Sequence, residues 1–479
     1  MPRTFRDALL IVALAAFAFP TLGAAAQPKG AGQGANERAE EADLGQSEHT
    51  KSSLAGLNIL THTLDNGLRL VMNPDSRVPT VAVAVYYDVG SRDEEPGRSG
   101  FAHLFEHMMF QGSANVGKAE HFTLINSRGG SANGTTSRDR TNYYQTLPSN
   151  ELELGIWLEA DRMRSLSITE ENFENQRQTV MEERRQSYDN RPYGNAFLRI
   201  DELLYGDYFP YAHSVIGDME DLQRAPLEDV QAFFDAYYGP NNAVIAIAGD
   251  FEPEVAIAIV EREFGPIPSR PRPAYEPGEF TPRQGEVRET MVDPNATLPA
   301  LLISHPIPPM REPDHYALEV LSVILSDGDS SRLRQSLIKK RELAASISAF
   351  TYDRRGPDAF AFWAVAAGGK SLDELEKAIE EEVQKIAQEG IRERELEKAK
   401  NRIRAHFTFG LESNLRRAME LAEHELYYGD ANLLKTALDP YLAVTAEDIQ
   451  RVARDYLRRD RRVVLQIQTR TAEGEEASE

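Results

Sequence analysis

The sequence predicts an α+β protein built from two homologous domains, and three observations carry that expectation. The ends of the two halves repeat. Pro226-Leu-Glu-Asp-Val-Gln leads through Ala236-Tyr237-Tyr238 to the strand-like run Val244 to Ala248. Thr445-Ala-Glu-Asp-Ile-Gln leads through Asp455-Tyr456-Leu457 to Val463 to Ile467, at a constant offset of 219 residues. Each copy reads as a capped helix, a turn and a strand, which is more than a chance match of four residues. Second, six prolines between Pro266 and Pro282 separate the copies as a linker. Third, 479 residues divide into two domains of ordinary size, each mixing β-branched runs with long amphipathic stretches.

The elements follow in chain order. Residues 1–26 read as a secretory signal peptide: Arg3 and Arg6, an apolar run from Leu9 to Phe19, and a small-residue cleavage site near Ala26. The run is short for a membrane span, and no later stretch is long enough to serve as one. The expected location is therefore periplasmic or secreted, with no span in the mature chain. Residues 27–56, rich in Gly, Ala, Glu and Ser, form a leader without periodicity. The first domain covers 57–268. It opens with a hairpin, Asn58 to Leu64 and Leu68 to Met72 around Asp65-Asn66-Gly67, because a positive-φ turn favours Asn-Gly. Val81 to Tyr87 is a buried strand. Ser165 to Ser187 is a polar helix with Phe173, Gln176, Val180 and Glu183 on one face. Residues 269–290 are the linker, 291–470 the second domain and 471–479 an acidic tail.

Composition removes several function classes. A net charge of −23 opposes phosphate backbones, so no nucleic-acid partner is expected. With 41% hydrophobic residues the chain can bury real cores. The absence of cysteine excludes disulfides, thiolate metal sites and cysteine catalysis. Any metal must be held by His, Asp or Glu.

Such a metal site is legible at His103-Leu104-Phe105-Glu106-His107. On a helix, His103 and His107 lie one turn apart on one face, the spacing at which two imidazoles grip one zinc ion. Glu106 neighbours them and can take a proton from a zinc-bound water without ligating the metal. This is the inverted form of the His-Glu-x-x-His zinc protease motif. Two histidines leave the tetrahedron incomplete. Glu183 is the candidate third ligand, although periodicity alone leaves Glu182 and Glu183 as ordinary surface charges.

The motif followed by Thr179-Val-Met-Glu-Glu183 resembles the pitrilysin/insulinase family of zinc peptidases, in particular its bacterial, processing-peptidase-like branch. Asn133-Gly-Thr-Thr-Ser-Arg-Asp-Arg-Thr-Asn-Tyr-Tyr144 and Asp189-Asn-Arg-Pro-Tyr-Gly194 are similar to family segments as well, and the resemblance spans about Leu57 to Ile467. It implies that Glu183, not Glu182, is the third ligand. It implies one Zn2+ per chain, two α/β-sandwich domains in tandem and half of a clamshell chamber. It also implies a substrate strand added beside the metal, with Asn133, Gly134 and Thr135 as the edge contacts. Gln176 stands where many relatives carry a carboxylate, and is expected to hydrogen-bond a ligand. A His2Glu set also accepts Mn or Co.

The second copy places Glu319, Ser322 and Val323 opposite His103, Glu106 and His107, which cannot rebuild the motif. His305 and His315 lack metal-ligand spacing and read as structural or surface residues. The expected function is an exported zinc-dependent endopeptidase acting on peptides or unfolded polypeptides; the alternative is a non-catalytic assembly or scaffold subunit. Self-sufficient relatives carry an Arg and, seven residues later, a Tyr in the second pair of domains. The matching positions here are Ile338 and Ala345. The resemblance therefore implies a heteromeric partner of the same fold that supplies the Arg/Tyr pair; a homodimer would close a chamber without it.

Overall fold

The computed structural model describes residues 56–470. The expected signal segment, nearly all of the leader and the acidic tail lie outside the described residues. No described helix is long and apolar enough to cross a membrane.

Two mixed sheets organise the molecule. The first contains β1 (Leu60–Thr63), β2 (Arg69–Pro74), β3 (Thr80–Tyr87), β4 (Ser131–Thr136), β5 (Thr141–Pro148) and β6 (Ala243–Gly249), in the order β1-β2-β6-β3-β5-β4. The second contains β7 (Val287–Asp293), β8 (Ala300–Ile307), β9 (Ala344–Thr351), β10 (Asp358–Ala366) and β11 (Val463–Thr469), in the order β7-β11-β8-β10-β9. Apart from β1 the two orders are the same, and in each the only parallel pair is the equivalent one, β2 with β6 and β7 with β11. The internal repeat is thus a repeat of fold. Its two carrying helices are Leu227–Tyr237 and Ala446–Tyr456, each followed by the second strand of that parallel pair.

The opening hairpin pairs Thr63 with Arg69, and Gly67 takes φ 88°, the left-handed conformation that the turn needs. The strand pattern also shows why β3 is apolar throughout. Val81, Val83, Val85 and Tyr87 enter the main core of the first domain, whereas Ala82, Ala84 and Tyr86 face a separate core on the back of the sheet. That back core is closed by the helix Asn414–Tyr428, which comes from the second half of the chain. The exchange is reciprocal. The helix Gly194–Tyr205 of the first half covers the back of the second sheet, against Ala300, Leu302, Ala359 and Ala361. Alanines on both back faces let these helices approach closely.

Two expected boundaries differ. The strand β7 begins inside the stretch read as linker, because its alternation of half-buried and exposed residues, with Arg288 and Glu289 among them, hides an edge strand in a Pro-rich context. The polar helix runs over Glu170–Arg184 rather than from Ser165, because the Thr169 hydroxyl accepts the Asn172 N–H and starts a new helix there.

Candidate metal centre and substrate chamber

The helix Phe101–Met108 carries the motif, and its start is built with care. Gly100 adopts φ 89°, and a Cβ there would meet the Gly217 Cα at 2.8 Å, so only glycine fits. The buried Glu94 carboxylate accepts the backbone N–H groups of Gly100 and Ala102 at 2.9 and 2.7 Å. It thereby satisfies donors that a helix N-terminus leaves open, and its charge suits the positive end of the helix. His213 reaches the same carboxylate at 3.0 Å. Phe101, Leu104, Phe105 and Met108 bury the other face, with Phe105 stacked on Phe234 at 5.6 Å. His103, Glu106 and His107 are left facing a cavity of about 1510 Å³ lined by both domains.

The second helix of the site, Glu170–Arg184, buries Phe173, Gln176 and Val180 and brings Glu183 to the same cavity. Glu183 Oε2 lies 3.3 Å from His107 Nε2 and 3.8 Å from His103 Nε2. The neighbouring Glu182 points to solvent and engages Arg185 and Gln186. One donor atom from each of His103, His107 and Glu183 falls within 4.8 Å of the others. His107 Nε2, the nitrogen that faces Glu183, is buried without a hydrogen-bond partner. A buried imidazole nitrogen with no partner, facing a carboxylate, fits a divalent ion better than a vacant contact. Gln176 is within hydrogen-bonding reach of His107, and its Nε2 donates to Asn175.

Burial and charge set the protonation. Burial and the adjacent His107 hold His103 down to about 4, so it is a neutral imidazole available for ligation. Burial raises the Glu106 carboxyl above its ordinary value. Burial also acts to raise Glu183, but its contact with His107 outweighs this and holds it below its ordinary value. The Thr136 hydroxyl donates to Glu106 Oε2 at 2.6 Å and fixes the carboxylate while leaving Oε1 free.

Asn133, Gly134 and Thr135 lie on β4, the edge strand of the first sheet, and line the cavity beside Glu106. A Cβ at Gly134 would come within 3.0 Å of Tyr143 Cδ1 and 3.2 Å of Glu106 Cγ, so glycine lets the strand run close to the carboxylate. The edge is not bare. The Thr135 carbonyl accepts from Arg140 Nη1 at 2.9 Å, and Asn133 Oδ1 accepts the Gly134 N–H at 2.9 Å.

Sequence reasoning missed two features. Glu94 precedes the motif helix without any local capping pattern. His315, read as structural or surface, is buried against Asp358 and also stands with Glu319 and Asp353 as a second group of metal-type donors within 4.8 Å, lining the same cavity. Its signal was a His and a Glu four residues apart on one helix face.

Comparison with known proteins agrees with the fold and the family. The insulinase (peptidase family M16) profile matches residues 69–205, and the peptidase M16 inactive domain matches residues 224–403. The zinc protease PqqE of Helicobacter pylori is 31% identical over 420 residues, covering 87% of this chain and 93% of that protein. The probable mitochondrial-processing peptidase subunit beta of Arabidopsis thaliana is 26% identical over 408 residues, covering 82% of this chain and 75% of that protein. The crystal structure of a protease from Helicobacter pylori superposes with a TM-score of 0.82 at 29% identity, over 86% of this chain and all of that one.

Proposed function

The chain belongs to the insulinase (M16) peptidase family, and from that premise we propose that it is an exported zinc-dependent endopeptidase acting on peptides or unfolded polypeptides. One observation carries the reading: His103, His107 and Glu183 converge on one point beside Glu106 and an edge strand, inside a cavity between the domains. His103, His107 and Glu183 would hold the ion. When bound, zinc supplies Lewis-acid polarisation of the scissile carbonyl and acidifies water. The residues do the rest. Oε1 of Glu106 accepts the proton of the attacking water and returns it to the leaving amine. Burial makes that carboxylate a stronger base, and Thr136 keeps it aimed. Along β4 the substrate adds as a strand through Asn133, Gly134 and Thr135, displacing the local partners of those groups. Gln176 steadies His107. Backbone pairing supports loose sequence preference, and the cavity admits an extended chain rather than a folded domain.

The same proposal includes a partner. Ile338 packs against the core of the second domain, and Ala345 lies on β9. Neither offers a hydrogen bond to a polarised carbonyl. A second polypeptide of the same fold would supply the Arg/Tyr pair and close the chamber. Losing one such donor costs about 10²–10³ in rate, so the lone chain should be a weak peptidase.

His103→Ala and His107→Ala test the reading. Each should lose bound metal and hydrolysis of an unstructured peptide together, because two remaining ligands hold zinc poorly. A variant that loses the metal yet cleaves at the parent rate would refute it.

A further inference from the structure

The helix Pro313–Ser326 follows β8 as the motif helix follows β3, and it faces the same cavity from the other domain. We propose that His315, Glu319 and Asp353 form a second site for a divalent cation, distinct from the His103–His107–Glu183 set. The inference does not depend on the peptidase reading.

His315 is 1% exposed. Its Nε2 lies 2.8 Å from Asp358 Oδ2, which also accepts the Asp353 N–H at 3.0 Å. A carboxylate only accepts, so Nε2 carries a proton toward Asp358 and Nδ1 is the nitrogen left facing Glu319. That Nδ1 is buried without a hydrogen-bond partner, and it lies 3.4 Å from Glu319 Oε2. At that distance the nitrogen and the carboxylate oxygen are bridged either by a proton on Nδ1 or by a divalent cation in its place. The third donor, Asp353, brings Oδ1 to 3.8 Å from His315 Nε2, and one donor atom from each of the three residues falls within 4.8 Å of the others.

The surroundings hold these donors in place. The Tyr441 hydroxyl donates to Glu319 Oε2 at 2.6 Å, and the Thr351 hydroxyl donates to Asp353 Oδ1 at 2.9 Å. Asp358 orients the imidazole as outer carboxylates do around metal-ligating histidines. Asp353 itself adopts φ 58°, a strained conformation for a residue other than glycine, and of the kind kept where function requires it. One imidazole and two carboxylates suit zinc or manganese.

Such an ion would tie the helix to the loop after β9, and that loop docks the domains. Arg354 Nη2 donates to Asp201 at 3.0 Å, Arg355 Nη1 to Asp88 at 2.6 Å, and the Gly356 N–H to the Tyr211 hydroxyl at 2.8 Å. The cation therefore stiffens the clamp between the two halves.

The test uses a His103→Ala/His107→Ala double variant, which silences the first set. After chelation and equilibrium dialysis against Zn2+ or Mn2+, elemental analysis should find about one metal per chain with at least one of the two ions. The same ion should raise the melting temperature by a few degrees. Adding Asp353→Asn, which tolerates the left-handed backbone, should abolish both the metal and the shift. Glu319→Gln should do the same. No retained metal with either ion would mean that a proton occupies the gap and would overturn the proposal. So would equal retention in the Asp353→Asn protein.

Discussion

Glu182 and Glu183 are chain neighbours with opposite surroundings. Glu183 lies 3.3 Å from His107 on the cavity wall, whereas Glu182 pairs with Arg185 at the surface. A turn of 100° between successive helix residues is what separates them, so only one can face the histidines. Glu183→Ala should therefore lower metal content far more than Glu182→Ala, as read by elemental analysis of the two purified proteins. Equal retention would reject Glu183 as a ligand. At this scale much was legible. The His103-Glu106-His107 spacing predicts three side chains on one helix face, and the structure brings all three to one cavity. Periodicity places Glu183 on the face of Phe173, Gln176 and Val180, but a glutamate on a mostly polar helix also reads as a solvated charge; family likeness added the rest of the choice over Glu182. Asp353 was invisible, since it is 38 residues beyond His315 in a loop and meets it only through the β9–β10 turn.

At the scale of elements, the motif helix depends on a cap that lies outside it. Glu94 is fully buried, and two backbone N–H groups depend on it. Glu94→Ala strands those donors and should cost about 1–3 kcal/mol, measured by denaturant unfolding. It should also weaken metal retention, because the helix start positions His103. An unchanged midpoint and unchanged metal content would contradict this. The Asp65-Asn66-Gly67 turn and the β3 run were readable because turn chemistry and β-branched runs are local signals. The partner of each buried face was not. Alternation says that β3 is apolar on both sides, but not that a helix more than 300 residues later covers one of them.

Across the whole molecule, the two halves are joined by exchange as well as by the Pro-rich linker. The Asn414–Tyr428 helix covers the first sheet and inserts Arg417, 2% exposed, which donates to Asn73 at 2.8 Å, to Asp75 at 2.8 Å and to the Leu411 carbonyl at 2.7 Å. Removing one partner of a buried ionic network leaves the others uncompensated. Arg417→Ala should destabilise the fold by about 3–5 kcal/mol in denaturant unfolding; a change within 0.5 kcal/mol would show that the exchange contributes little. Acid should loosen the same joint. The hydrogen bond from Arg77, with help from Arg417, holds the Asp75 carboxyl down to about 2 from an ordinary 3.8. A depressed folded value gives stability that is present above the unfolded value and lost as pH falls through the folded one. Below pH 3.8 the parent should therefore lose stability more steeply than Asp75→Asn, which lacks this group.

The assignment of Glu106 as the base of a metal-dependent peptidase stands or falls on the Glu106→Gln protein. Parent and variant are purified with their metal, analysed for zinc, and compared on one unstructured peptide under the same conditions. The amide keeps the side-chain shape and the ligands untouched but cannot take a proton. Zinc content should be equal and the rate lower by about 10²–10⁴. Hydrolysis by the variant at the parent rate, with zinc retained, would contradict it.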